Sequence, residues 1–436
     1  MKRIAIVGSG ITGLGAAYTL SHHHHVTLFE ANNYFGGHAH TVDVTLQGQT
    51  HGVDTGFLVF NHRTYPELLK LFTALKVPTA EADMGFSVKV RGSDQGSALE
   101  WCGSSLNAVF AQRRNLLKPR FFRMLSQILR FNKETTAAAI NNHLPEMTLG
   151  EYLKTGGYSD ELRDWYLLPM AACVWSCPPD AMLAYPAVTF IQFCYNHGLL
   201  QGFEGRPQWY TVKGGSREYV KRIIAKMTDK RLKTPVLGVH RGEGKLPLVE
   251  TVHTTESFDA VLLATHSDTA LQLLKQATSA ETSILSRLRY QKNLAVLHTD
   301  ASVLPTARRA WAAWNYESAG KNLNNTSVCC HYLINRLQPL PFELPVIVSL
   351  NPIREPEHII QSFEYAHPVF DAAAILAQKE LQSIQGKDNV WFAGAWAGYG
   401  FHEDGLKAGL LAAQQIEKRF KRYGEDPIWI TGKAAS

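Results

Sequence analysis

Six residues near the amino end have the spacing that phosphate recognition requires. Gly8-Ser9-Gly10-Ile11-Thr12-Gly13 places glycines at the first, third and sixth positions of a turn. Gly8 permits the tight bend, Gly10 lets a pyrophosphate approach the backbone, and Gly13 allows a helix to pack closely on a strand. Glu30 stands 22 positions after Gly8. A carboxylate there can accept both hydroxyls of an adenosine ribose, and it repels a 2′-phosphate. This is the chemistry of a dinucleotide site with unphosphorylated ribose.

Such a turn works only between a strand and a helix. "RIAIV" reads as a short buried strand, the residues after Gly10 as a helix, and "VTLFE" as a second strand ending on Glu30. The helix start then offers unpaired N–H groups and the positive end of its dipole to the phosphates. The basic start followed by an apolar run also resembles a secretory leader. Four glycines interrupt that run and no convincing small-residue cleavage site follows, so the nucleotide reading is preferred and a cytoplasmic protein expected. The histidines at 22–25 fall in the turn between helix and second strand, as neither tag nor metal site.

With 436 residues, 45% apolar and 19% charged, the chain exceeds what one core usually serves, and two domains are expected. A net charge of +6 does not by itself suggest nucleic acid, and no binding module for it is recognisable. No uninterrupted apolar run reaches the ~18 residues of a spanning helix. The six cysteines show no disulfide framework or zinc spacing, and no metal site is expected. Free thiols are the favoured reading, with Cys173 and Cys177 in "CVWSC" as a lesser redox alternative.

After Glu30 comes "ANNYFGGHAHTVDV", then "VDTGFLVFN", "WYTVKGGSREYVKRI" and "NVWFAGAWAGYGFHEDGLKAGLLAAQQI". These segments resemble the flavoprotein superfamily of amine oxidases, protoporphyrinogen oxidases and phytoene desaturases. "PMAACVWSCPPDAML", "FCYNHGLLQ", "RPQWYTVKGGSREYV", "AWAAWNY", "YAHPVFD" and "GFHEDGLKAG" together resemble one bacterial subfamily of predicted FAD-binding oxidoreductases within it. The resemblance implies an α/β fold: a Rossmann-like FAD-binding domain of the glutathione-reductase type with a discontinuous α+β substrate domain. The FAD domain is expected from residues 1–75, 205–265 and 385–420. The substrate domain takes 76–204, largely helical, and 266–384, rich in strands, and 421–436 is a frayed tail.

By the same resemblance, noncovalent FAD is held by Gly8, Ser9, Gly10, Thr12, Gly13, Glu30, Ala31, Gly37, His38, Thr41, Thr55, Gly56, Val236, Gly394, Phe401, His402 and Glu403. Two positions depart from the pattern: His38 replaces the usual arginine of the Gly-Gly-Arg segment, and Ala395 replaces an acid after "FAG". For catalysis the resemblance points to His402 and Glu403, which lead into a helix aimed at the flavin, and to Lys292 as the counterpart of a lysine near N5. Substrate-pocket candidates are Trp175, Trp314, Tyr316 and His197. Each has a plainer reading: helix cap for Glu403, strand start in solvent for Lys292, core for the aromatics.

The subfamily resembles partners of cyclopropane-fatty-acid-synthase-like methyltransferases. The implied activity is dehydrogenation of an apolar substrate, a methyl-modified fatty acyl chain of a phospholipid. A flavin amine oxidase and a noncatalytic flavoprotein partner of a lipid methyltransferase are the alternatives. From Trp101 to Lys133 there are seven cations and no acid. After Pro119, Phe121, Phe122, Leu125, Ile128 and Leu129 share one helical face. Residues 113–133 are therefore a candidate contact with an anionic membrane, placing the chain at the inner face of the cell membrane, against the alternative that this face packs on its own domain.

Overall fold

The first strand, β1 (Arg3–Val7), is buried beyond its first residue, as expected for a strand covered on both faces. It leads through the glycine turn into α1 (Ile11–Leu20) and back to β2 (His25–Phe29), which pairs parallel with β1 from Arg3–His25 to Val7–Phe29. Strands β3 (Asp229–Arg231), β4 (Ala260–Leu263) and β5 (Val390–Phe392) complete a five-stranded parallel sheet in the order β3-β2-β1-β4-β5. The strand order reverses between β1 and β4, where open α/β sheets bind ligands at the carboxyl ends of their strands. The computed structural model describes residues 1–90, 98–144, 146–201, 205–241, 245–318 and 328–420. The expected tail 421–436 lies outside the described residues.

Close backbone contacts fix this sheet's helices. A Cβ on Gly13 would lie 1.9 Å from the Gly8 carbonyl oxygen, so α1 sits directly on the end of β1. The last helix, α2 (His402–Phe420), packs against α1, and a Cβ on Gly409 would come within 2.2 Å of the Thr12 carbonyl oxygen. Ile4, Ile6, Leu14, Leu406 and Ile416 share the core beneath them.

The second layer is a seven-stranded mixed sheet in the order Ile359–Val369, Arg289–His298, Ile347–Leu350, Cys329–Leu333, Trp314–Ser318, Phe86–Val90, Leu99–Cys102. Helices Pro119–Ile140, Leu149–Thr155, Leu168–Trp175 and Ala187–Asn196 cover part of it. The 76–204 segment is less helical than the sequence suggests, for it contains strands Thr79–Ala82, Phe86–Val90 and Leu99–Cys102. "LEWC" is buried at all four positions, so no alternation marks it as a strand. The eleven-residue strand Ile359–Val369 is also unannounced in the sequence. It contains Pro368, which is tolerated because the strand lies at the sheet edge. Among the described residues no helix is long and apolar enough to cross a membrane.

Two glycine substitutions test these contacts. Gly409→Ala places a methyl group against the Thr12 carbonyl and should lower stability by about 1–3 kcal/mol, read as an earlier denaturation midpoint. Gly10→Ala, whose Cβ meets nothing within 4 Å, should leave the midpoint where it is.

Candidate functional site

The turn after β1 is built of groups too close for side chains. Gly8 has φ +100°, and a Cβ there would lie 2.6 Å from the Ala264 carbonyl oxygen at the end of β4. Gly10 caps α1 without any side-chain hydrogen bond, leaving the first-turn N–H groups to whatever occupies the space before them. Buried Glu30 is held in place: Oε2 accepts from the Ser9 N–H (3.0 Å) and hydroxyl (2.5 Å), Oε1 from the Asn32 N–H (2.9 Å). Gly37, at φ +58°, brings its backbone onto Gly10, where a Cβ would lie 3.0 Å from the Gly10 Cα.

These residues form one end of a cavity of about 470 Å³ that continues between the two sheets. Gly8, Ser9, Gly10, Thr12, Glu30, Gly37, His38, Thr55, Gly56, Gly394, Phe401 and His402 line it. Of the substrate candidates, Trp175, His197 and Trp314 do so. The indole N–H groups of Trp175 and Trp314, and Nε2 of His38, are buried without a hydrogen-bond partner. His38 lies between the rings of Tyr365 (5.0 Å) and His367 (5.3 Å), and burial next to other histidines holds its pKa well below the ordinary value.

The remaining candidates sit elsewhere. Glu403 does not line the cavity. Its carboxylate accepts from the N–H groups of Glu67 (2.9 Å) and Leu68 (3.0 Å), capping helix Pro66–Ala74, and it pairs with Lys407 at 3.3 Å. These contacts give the Glu403 carboxylate a capping role, away from the cavity lining. Lys292 is exposed on its strand, and Tyr290 and Ala295 reach the cavity from that strand instead. Tyr316 is buried beyond the cavity, whose wall there is Trp314 packed edge-to-face on Tyr332 at 5.0 Å. Thr41 donates to Asp54 Oδ1 at 2.5 Å and accepts from the Arg217 N–H, a contact that ties the hairpin to the following helix. Gly13 serves helix packing and Ala31 is exposed. Val236 lies in an antiparallel three-stranded sheet opposite Thr251, outside the cavity lining.

At the start of α2, His402 stacks on Phe57 at 3.8 Å, and its Nε2 lies 2.7 Å from the Tyr219 hydroxyl. Burial pushes its pKa down to about 3. His197, stacked on Phe193, and His367 are likewise pushed down to about 4 by burial, and His266 is lowered. The cavity histidines are therefore neutral near pH 7. Sequence reasoning missed a further wall: Tyr290 stacked on His266 at 4.3 Å, Tyr365, His367 and Phe370 from the edge strand and the turn after it, and Tyr399. The motif "YAHPVFD" contained three of these residues, but nothing in its spacing singled them out.

Among the described residues one buried triad, Glu317, Cys329 and His331, has metal-ligand proximity, on residues that do not line the cavity. Lys89 already pairs with Glu317 at 3.0 Å, and His331 Nδ1 contacts the Ser349 hydroxyl.

A glycine turn at a strand-order reversal, with an anchored acid at the next strand end, defines a dinucleotide-binding Rossmann-like protein. Residues 6–75 match the family model of the NAD(P)-binding Rossmann-like domain. The whole chain shares its overall fold with several solved structures. It is similar to a solved structure assigned as a protoporphyrinogen oxidase from Exiguobacterium sp. 255-15, with 18% identity, 96% of this chain and 99% of that one covered, and a TM-score of 0.64. A fatty acid isomerase from P. acnes that produces CLA matches at 14% identity, 96% and 98% coverage and TM-score 0.64. Cyclohexylamine oxidase from Brevibacterium oxydans IH-35A matches at 15% identity, 97% and 100% coverage and TM-score 0.66. No curated protein sequence matches the chain.

Two acids at the α2 start have measurable consequences. Glu403→Gln leaves one N–H of the Pro66–Ala74 helix unpaired and should cost about 1–3 kcal/mol of stability, with dinucleotide affinity unchanged. Asp404 is different: burial raises its pKa to about 6, although it accepts from the Phe401 N–H at 3.0 Å. Its folded form holds the proton more tightly than the unfolded chain, so stability falls as pH rises from about 4 to about 6, by up to about 3 kcal/mol from this group. Asp54, also raised to about 6, acts in the same direction. Denaturation midpoints across that window should vary less in Asp404→Asn than in the parent chain.

Proposed function

We propose that this chain is an FAD-dependent oxidoreductase that dehydrogenates an apolar substrate, the methyl-modified fatty acyl chain of a phospholipid. The observation that carries this reading is the electrostatics of the cavity wall. Among the described residues its only Asp, Glu, Lys or Arg is Glu30, in the nucleotide end, and burial disfavours the charged form of His38, His197, His266, His367 and His402. Bringing an ammonium into such a space leaves a charge uncompensated, which is expensive, whereas an alkyl chain gains from leaving water.

The residues fit noncovalent FAD. Gly10 faces open space at the helix start, Glu30 is preset for a ribose, and the unpartnered His38 Nε2 belongs to the same cavity. No cysteine stands in residues 390–420 to attach a flavin. Bound FAD supplies a two-electron acceptor for hydride from a C–H bond. The chain's own part is to position and to exclude water. Leu58, Val59, Val174 and Leu199 offer apolar contact, and Trp175 and Trp314 fix the width. His402, clamped between Phe57 and Tyr219, holds the turn before α2 rigid. The fatty acid isomerase among the structural relatives lends support. The family resemblance adds a lipid methyltransferase as the partner that prepares the substrate.

A second reading, oxidation of a neutral amine, is favoured by the Trp314–Tyr332 pair and by the cyclohexylamine oxidase relative. Anaerobic addition of substrate to the FAD-loaded protein separates the two. Phospholipids with cyclopropane or methyl-branched chains should bleach the flavin band. Bleaching by cyclohexylamine alone would transfer the assignment to the second reading, and no bleaching by either would leave a noncatalytic partner of the methyltransferase. Gly10→Ala should raise the Kd for FAD by about tenfold or more, because its methyl group enters the space of the phosphates.

A further inference from the structure

Just before the longest described helix, the chain presents apolar side chains that no described residue covers. Leu117 is 86% exposed, Leu106 70%, Leu116 48% and Phe122 45%. They come from one short stretch: the turn Leu106–Val109, the 3-10 turn Arg113–Leu117 and the start of Pro119–Ile140. The stretch overlaps the candidate membrane face at residues 113–133. In the helix itself Phe121 is fully buried, and Leu125 and Ile128 pack half-buried against the core, so that part of its apolar stripe belongs to the domain. The uncovered apolar residues are those of the preceding turn together with Phe122 and, further along the helix, Leu129 at 70% exposed.

The stretch is firmly held. Ser105 caps the first turn by accepting from the Ala108 N–H, Gln112 exchanges hydrogen bonds with Ala98 and Glu100, and Asn115 is buried beneath. Its cations flank the exposed leucines in sequence: Arg113, Arg114, Lys118, Arg120 and Arg123, with no acid from 101 to 133. Arg120 and Arg123 reach Glu161 at 2.6 and 3.8 Å. Arg113 and Lys118 have no acidic partner among the described residues.

We infer that residues 106–123 dock on an anionic phospholipid surface, with Leu106, Leu116, Leu117 and Phe122 entering the acyl boundary and Arg113 and Lys118 meeting headgroup phosphates. Aliphatic tips ringed by cations match both layers of that surface at once. A second copy of the same face is disfavoured, since each copy brings the acid-free stretch of a chain with net charge +6. The inference agrees with the lipid reading of the cavity but does not rest on it, because docking needs no turnover.

The test is sedimentation of the full-length, FAD-loaded protein with vesicles. Vesicles of phosphatidylcholine mixed with phosphatidylglycerol should pellet the protein at low salt, phosphatidylcholine alone should not, and added salt should release it. Leu116→Asp/Leu117→Asp and Arg113→Glu/Lys118→Glu should each weaken pelleting by about tenfold or more, with flavin content and thermal midpoint unchanged. The inference is overturned if anionic vesicles fail to pellet the parent chain at low salt, or if phosphatidylcholine pellets it equally. It is also overturned if the leucine variant instead dissolves a dimer seen by analytical ultracentrifugation.

Discussion

Everything about the nucleotide end follows from how closely four backbone elements approach one another. The Gly8 carbonyl lies under Gly13, the Ala264 carbonyl beside Gly8, and the Thr12 carbonyl under Gly409, each at a distance that leaves no room for a Cβ. Strand β1, helix α1, strand β4 and helix α2 are locked together by contacts only glycine permits. Because these contacts lie at the carboxyl ends of the strands, they also set the position of the free N–H groups of α1. The Glu30 carboxylate then ties the second strand end to Ser9, so the nucleotide end is rigid before any ligand arrives.

How much of this could be read from the letters depended on whether a residue's partner was local. The glycine turn and Glu30 were legible because strand, turn, helix and second strand are consecutive in sequence. The hairpin Thr41–Leu46 with Gln49–Asp54 is equally local, its turn residues sitting between its own strands. The role of Glu403 was not legible as geometry, since the N–H groups it caps belong to a helix more than three hundred residues earlier. Lys292 was chosen by analogy of position, and strand position alone does not say which residues face a cavity. The edge strand Ile359–Val369 escaped notice because its exposed, proline-containing sequence lacks the pattern of a central strand.

The two ends of the cavity differ in kind. At one end stand backbone N–H groups and a fixed carboxylate, suited to a charged, strongly hydrated ligand. Beyond it the walls turn to leucine, valine, tryptophan and uncharged imidazole, and several buried polar atoms there lack partners. Unpartnered indole N–H groups in an apolar wall are costly unless something accepts from them. The cavity is thus specified on two chemical terms, and the boundary between them lies near His38 and His402.

The parallel sheet draws its strands from residues 3–7, 25–29, 229–231, 260–263 and 390–392, and its closing helix runs to residue 420. A chain emerging from the ribosome therefore carries β1, α1 and β2 with one apolar surface bare through most of its synthesis. Long-range closure of this kind makes folding slow and exposes intermediates to aggregation. The nucleotide pocket can close only after residues 390–420 have been made and have joined residues 3–29, so its assembly waits on a segment distant in sequence.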